Sequence, residues 1–240
     1  MCGALTREAA NIAYRLSYYS IGMAFSADGR HFKRLSANES RPRTEGLALT
    51  ARDLFPNIKF DDGIVSDPVA VRRDGVIHLW FSAFTMGRGA QVNGVGYANS
   101  TDLRTWKPHG KQVLDELGIP FVLAKPRSGS FELWANLDEP ERERVLPDKD
   151  FLDFATTLRF RHYLSPDGIN WKRDESKDLA YDPDERSEFC GLTAGPAAIL
   201  RSVGGRDEYE MYYGAWGNKG VPAGSTVQCV WAINRAVLKP

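Results

Sequence analysis

Imidazole and thiol side chains are the usual carriers of metal and redox chemistry, and in this 240-residue chain their spacing leaves them little to do. The four histidines, His31, His78, His109 and His162, fall without the paired spacing of a metal site. Cys2, Cys190 and Cys229 form no CxxC pair, and an odd count argues against a disulfide framework, so buried thiols are expected. The carboxylates are more informative. Asp67 precedes Pro68 in an apolar run, SDPVAV, while Asp61 and Asp62 lead into it and Glu188 leads into a second proline run, AGPAAIL. The interval from Gly63 to Pro68 equals that from Gly191 to Pro196. A carboxylate in such a place either moves a proton or accepts hydrogen bonds from strand-start amides, and for Asp67 both readings stand. Glu188, in the charged run DPDERSE, also reads as a solvated loop residue.

The elements that would position these groups are legible in a repeat. Three segments align without gaps, IGMAFSADGRHF at 21–32, VGYANSTDLRTW at 95–106 and FRHYLSPDGINW at 160–171. Each holds Ser-x-Asp and an aromatic four residues after the Asp: Ser26, Asp28 and Phe32; Ser100, Asp102 and Trp106; Ser165, Asp167 and Trp171. A weaker copy, CVWAIN at 229–234, would put Asn234 at the serine position. The motifs recur about every seventy residues, an interval that marks a repeated supersecondary unit. Strand formers precede each serine, and the Asp that follows favours a tight turn in which its carboxylate accepts backbone amides. The aromatic is expected to pack between neighbouring sheets. Upstream lie aromatic strands, HLWFSAF, ELWAN and EMYYGAW, and further upstream short strands around Pro68, Pro126 and Pro196. Proline suits a strand start or edge.

Four strands per unit describe a propeller blade, so the predicted fold class is all-β, a single propeller domain over 1–240. The expected blades are a partial first blade at 19–36, then 58–114, 118–175 with an insertion loop at 137–155, and 188–240. About three and a half to four blades are thus visible. An arc of this kind leaves faces exposed, so closure by an N-terminal strand or contact between copies in a homo-oligomer is expected.

The combination of xDPxV, an LWF or MYY strand and IGxAxSxDxxxW resembles the five-bladed propeller superfamily of arabinanases, β-xylosidases and fructosidases, from about residue 19 onward. Sialidase-type boxes place the aromatic five residues after the Asp, whereas here the interval is four. The resemblance implies a glycosidase whose channel-facing carboxylates cleave a glycosidic bond, with catalytic residues one or two positions before the inner-strand proline. Asp67 fits that position, whereas Ala124 and Lys125, and Ala194 and Gly195, bring no acid to theirs. Glu188 is the substitute second acid, and Asp62, Lys125 and Trp216 are the candidate substrate-binding residues. Ala194 where an acid is expected keeps open an inactive propeller that binds carbohydrate or protein. The resemblance requires no cofactor and allows a structural calcium ion in the channel, for which the sequence identifies no ligands.

Lys plus Arg equal Asp plus Glu at 31 each, so no basic field is present to collect nucleic acid or an anionic membrane. No apolar run approaches the roughly 20 residues of a membrane-spanning helix. Because no signal peptide is recognisable, a cytoplasmic location is expected.

Overall fold

A computed structural model describes residues 20–38, 45–55, 63–85, 93–115, 117–125, 128–137, 160–179, 193–203, 206–217 and 230–238. Nearly all of the elements are strands. The first sheet is built from β1 (Ile21–Gly22), β2 (Ala24–Phe25), β3 (Lys33–Arg34) and β4 (Leu47–Leu49). Met23 joins β1 to β2, receiving the amide of Leu35 on its carbonyl and donating its own amide to Gly46. These short pairs therefore act as two strands, the second interrupted between Leu35 and Gly46. A short helix, α1 (Ala51–Leu54), follows behind a capping box in which Thr50 and Asp53 exchange hydrogen bonds.

The second sheet runs in order through β5 (Gly63–Arg73), β6 (Val76–Thr85), β7 (Asn93–Ser100) and β8 (Lys107–Asp115). The third comprises β9 (Leu117–Ala124), β10 (Phe131–Leu137), β11 (Arg161–Ser165) and the short β12 (Lys172–Arg173). In the fourth, β13 (Thr193–Val203), β14 (Arg206–Gly217) and β15 (Val230–Leu238) pair in that order. All ladders are antiparallel, and β9 packs against both β5 and β13, so the first strands of the second, third and fourth sheets lie innermost. Among the described residues no helix is long and apolar enough to cross a membrane.

The core lies in the seams between sheets. Leu49, Leu54, Phe55, Leu79 and Phe81 fill the first seam. Trp80, Tyr97, Val122, Phe131 and Leu133 fill the second, with Trp171 against them. Trp134, Phe160, Tyr209, Met211 and Tyr213 fill the third. Large flat rings suit these wedges because neighbouring sheets twist apart as they radiate from the inner strands.

The three Ser-x-Asp corners fold alike. In the first, the amide of Gly29 donates to Ser26 Oγ, while those of Arg30 and His31 donate to Asp28 Oδ1. Ser100 with Asp102 and Ser165 with Asp167 repeat the set. The fourth residue of each corner adopts positive φ, at Gly29 (72°), Leu103 (63°) and Gly168 (80°). Glycine takes that conformation freely; leucine does not.

Ladder register corrects three details. The inner-strand proline of the third sheet is Pro120, not Pro126, because Gly118 pairs with Asn136 and Phe121 with Trp134, just as Ser66 pairs with Ser82 and Val69 with Trp80. Asn234 is not the fourth serine position, since Leu238 stands opposite Tyr209 where Ser100 and Ser165 stand opposite Ile77 and Phe131. Phe32, expected between sheets, is 66% exposed because no described sheet precedes the first.

Candidate functional site

The inner strands carry a shared irregularity. In β5, β9 and β13 the ladder to the next strand slips at Asp67-Pro68, Ile119-Pro120 and Gly195-Pro196 respectively. Proline breaks the ladder by lacking a donor, and the residue before it absorbs the bend. Asp67 and Ile119 both sit at φ 49°, a left-handed conformation that Asp tolerates and a β-branched residue resists. The amide freed at Ile119 donates to Ser82 Oγ of the neighbouring sheet at 2.7 Å. The bend therefore belongs to the fold, and what varies is the side chain it presents: a carboxylate, a branched alkyl group and a hydrogen.

Asp67 is exposed on the innermost strand, and Ser66 Oγ donates to its Oδ2 at 2.7 Å. That bond holds the carboxylate in one orientation while leaving it accessible to a ligand. The arrangement suits a base, a nucleophile or an acceptor for a sugar hydroxyl.

Lys125 lies elsewhere. It follows β9 in the turn to β10, about 20 Å along the strand from the Ile119 bend. Its Nζ is 3.5 Å from Glu132 Oε1 and 6.0 Å from the ring centre of Tyr209. Trp216 is paired in register with Trp231, two residues beyond Gly214, which faces Ala194 at the bend of β13. Register thus places Trp216 toward the same end of its sheet as the bend, in the position of Phe84; Trp80 and Trp134 correspond instead to Tyr212. Asp61, Asp62 and Glu188 lie outside the described residues, as do the three cysteines.

A second polar cluster escaped the sequence reading. Glu132, fully buried on β10, accepts from Lys177 Nζ at 2.7 Å and lies 3.7 Å from His162 Nε2. His162 Nδ1 is 3.2 Å from Asp174 Oδ2, and Lys177 also donates to Tyr209 Oη at 3.0 Å. Asp174 makes the cluster by capping a 3-10 turn, Glu175–Lys177, that interrupts the last strand and folds Lys177 back over the sheet. Sequence spacing alone does not disclose such a fold-back. Burial pushes the Glu132 carboxyl upward, but hydrogen bonds from Lys177 and Tyr209 outweigh it and hold the group below its usual range. Burial drives His162 downward, and the neighbouring Glu132 only partly opposes this.

The cluster has counterparts in the other sheets. His78 Nδ1 meets Tyr97 Oη at 2.7 Å, and Arg235 Nε donates to Glu210 Oε1 at 2.5 Å. Each pair occupies the same diagonal between second and third strands as Glu132 and His162. A polar cross-strand pair in three successive sheets is a feature of the architecture. The adjoining cavity, lined by Trp134, Lys177, Tyr209, Met211 and Val237, has a volume of about 90 Å³, well under the roughly 300 Å³ at which ligand pockets begin.

Among the described residues no group of three or more His, Cys, Asp or Glu is placed to hold a metal ion.

Meander sheets stacked about their first strands define a β-propeller. Three solved structures of low sequence identity share that fold. An N-acetylgalactosamine deacetylase from F. plautii, solved with blood group B trisaccharide, matches with TM-score 0.53 and 17% identity over 92% of this chain and 61% of its own. A fructofuranosidase from Schwanniomyces occidentalis, complexed with fructose, gives 0.56 and 11% over 92% and 38%. A β-1,2-mannobiose phosphorylase from Listeria innocua, solved with β-1,2-mannobiose, gives 0.54 and 15% over 90% and 48%. This chain spans from about two fifths to three fifths of the length of these proteins. No protein-family model matches the sequence, and comparison with curated proteins gives no match.

Proposed function

We propose that this chain is a carbohydrate-active propeller of the glycoside hydrolase type, with Asp67 as the acidic group that meets the sugar. The observation that carries the reading is the exposed carboxylate of Asp67, set at an inner-strand bend and oriented by Ser66. A fold shared by a deacetylase, a hydrolase and a phosphorylase supports a carbohydrate ligand without fixing the reaction. In the hydrolytic reading Glu188 is the second acid, Asp62 and Trp216 contribute to the sugar site, and separation of the two carboxylates decides between retention near 5 Å and inversion at roughly 6.5–9.5 Å. Lys125 is left out of that site, because its charge is directed to Glu132.

A second reading, a propeller that binds glycan without turnover, is favoured by Ile119 and Gly195 at the bends of the third and fourth sheets, where no acid is supplied. Chromogenic arabinosides, xylosides, fructosides and mannosides, tested on wild type and Asp67→Asn, separate the two. Hydrolysis of one of them, reduced roughly 100- to 10,000-fold in the variant, is the expected result. Binding on a glycan array without hydrolysis would select the second reading, and neither binding nor hydrolysis would overturn both.

A further inference from the structure

Ile119 stands where the third sheet repeats the bend of Asp67, and packing does not account for it. Both residues sit at φ 49°, which an Asp tolerates and a β-branched side chain resists. Glycine would make the bend without strain, and glycine stands at the corresponding place in the fourth sheet, Gly195. The Ile119 side chain is partly exposed and belongs to none of the three clusters that fill the seams, although Phe121, Val122 and Leu123 just beyond it all do. Strain that core packing does not offset is characteristic of functional positions.

The surrounding structure holds this bend beside Asp67. Ser82, fully buried on β6, accepts the Ile119 amide at 2.7 Å. Its register partner is Ser66, whose hydroxyl orients Asp67. Just before the bend, a Cβ on Gly118 would lie 3.1 Å from Phe84 Cζ and 3.7 Å from Ser82 Oγ, so the backbone of β9 is drawn close onto the second sheet. One cross-strand pair of serines therefore serves both bends: Ser66 sets the carboxylate of Asp67, and Ser82 sets the backbone that carries Ile119. Because β5 and β9 pack together as inner strands, an alkyl group and an acid occupy equivalent positions on neighbouring strands.

We propose that Ile119 is a specificity-determining residue of the Asp67 site, selecting a sugar that carries a methyl group, as a 6-deoxy sugar or an N-acetyl sugar does, next to the hydroxyl that Asp67 accepts. The proposal rests on the carbohydrate-active reading of Asp67 and holds with or without turnover. A carboxylate satisfies a hydroxyl, whereas an alkyl group does not. A sugar hydroxyl set against Ile119 would lose its hydrogen bond to water and gain none. A methyl group there leaves water favourably and gains dispersion contacts with the isoleucine.

The test is binding to an array of matched sugars that differ only at the methyl-bearing group: L-fucosyl against L-galactosyl, L-rhamnosyl against L-mannosyl, N-acetylgalactosaminyl against galactosyl, and N-acetylglucosaminyl against glucosyl. Wild type is expected to favour the methyl-bearing member of a pair by roughly 10- to 100-fold, and the deoxy and acetyl pairs distinguish which methyl is read. Ile119→Asn, which puts a side chain suited to positive φ at the bend, should bind both members alike with no loss of Tm. Ile119→Val, still branched and apolar, should keep the preference. Equal binding of both members by wild type would overturn the proposal and leave the carbohydrate reading standing. A preference unchanged in Ile119→Asn would also overturn it, and a lowered Tm in that variant would then assign Ile119 to the core. Absence of binding to any sugar by wild type would remove the carbohydrate reading and this proposal together.

Discussion

At Asp67 the backbone holds φ 49°, and the same value at Ile119 shows that a non-glycine left-handed residue before proline is a recurrent part of the inner strands. The carboxylate is thus not needed to make the bend, and Asp67→Asn should fold as wild type does while losing whatever chemistry the acid supplies. Asp67 was legible because Asp-Pro in an apolar run is conspicuous. Ile119 was not, because an isoleucine gives no signal for positive φ and Pro126 offered a competing proline. The Glu132 cluster was hidden for another reason: Lys177 reaches it only through the fold-back at Asp174. Two histidines, His162 buried and His78 partly so, give the residue scale a pH dependence. Burial, aided at His78 by the nearby Arg73 charge, depresses both His78 and His162 below their ordinary 6.5. Folded protein then binds fewer protons than unfolded, so stability is complete above the unfolded value and declines as pH falls below about 6.5 toward the depressed values. The expected outcome is a Tm that falls between about pH 7 and 5 and a flatter profile in a His78→Gln, His162→Gln double variant. A flat wild-type profile over that range would contradict the assignment. Corner carboxylates add a later loss: the amides of Thr105 and Arg104 lower Asp102 to about 2, so its contribution is present above the ordinary 3.8 and disappears below it.

Among the elements, the Ser-x-Asp corner was the most legible because all of its hydrogen bonds lie within a few residues. Its seat in the neighbouring sheet was legible only in outline. The corner glycines separate the two contributions. A Cβ at Gly29 would meet nothing within 4 Å, so Gly29→Ala should cost only the left-handed backbone, about 1 kcal/mol. A Cβ at Gly168 would sit 2.6 Å from Trp80 Cζ2. Gly168→Ala should therefore cost more, about 3 kcal/mol, through overpacking of the seam in addition to the backbone. Urea unfolding of both variants measures the difference, and equal losses would mean that the corner does not bear on Trp80. The strand called from CVWAIN was real but misaligned, because β15 reaches the serine position at Leu238 without a corner motif. Periodicity located the strand, whereas register required its hydrogen-bonded neighbour.

Over the whole molecule, the seams make the middle sheets the best protected. β6 and β10 carry buried side chains on both faces, whereas β15 exposes Ile233, Arg235 and Val237. Hydrogen exchange should accordingly be slowest in β6 and β10 and fastest in β15 among the long strands, and the reverse order would place the core elsewhere. The fold was legible from the sequence because each sheet repeats the same local code, but the site was only partly so because its residues come from different sheets that the code does not align. Asp67 is the point at which fold and proposed chemistry meet. The most direct measurement is a crystal structure of Asp67→Asn soaked with a short oligosaccharide that the protein binds. The expected result is a sugar on the inner strands with an oxygen within about 3 Å of the residue 67 side chain. A sugar seated only on the outer faces of the sheets, away from the inner-strand bends, would contradict the proposed site.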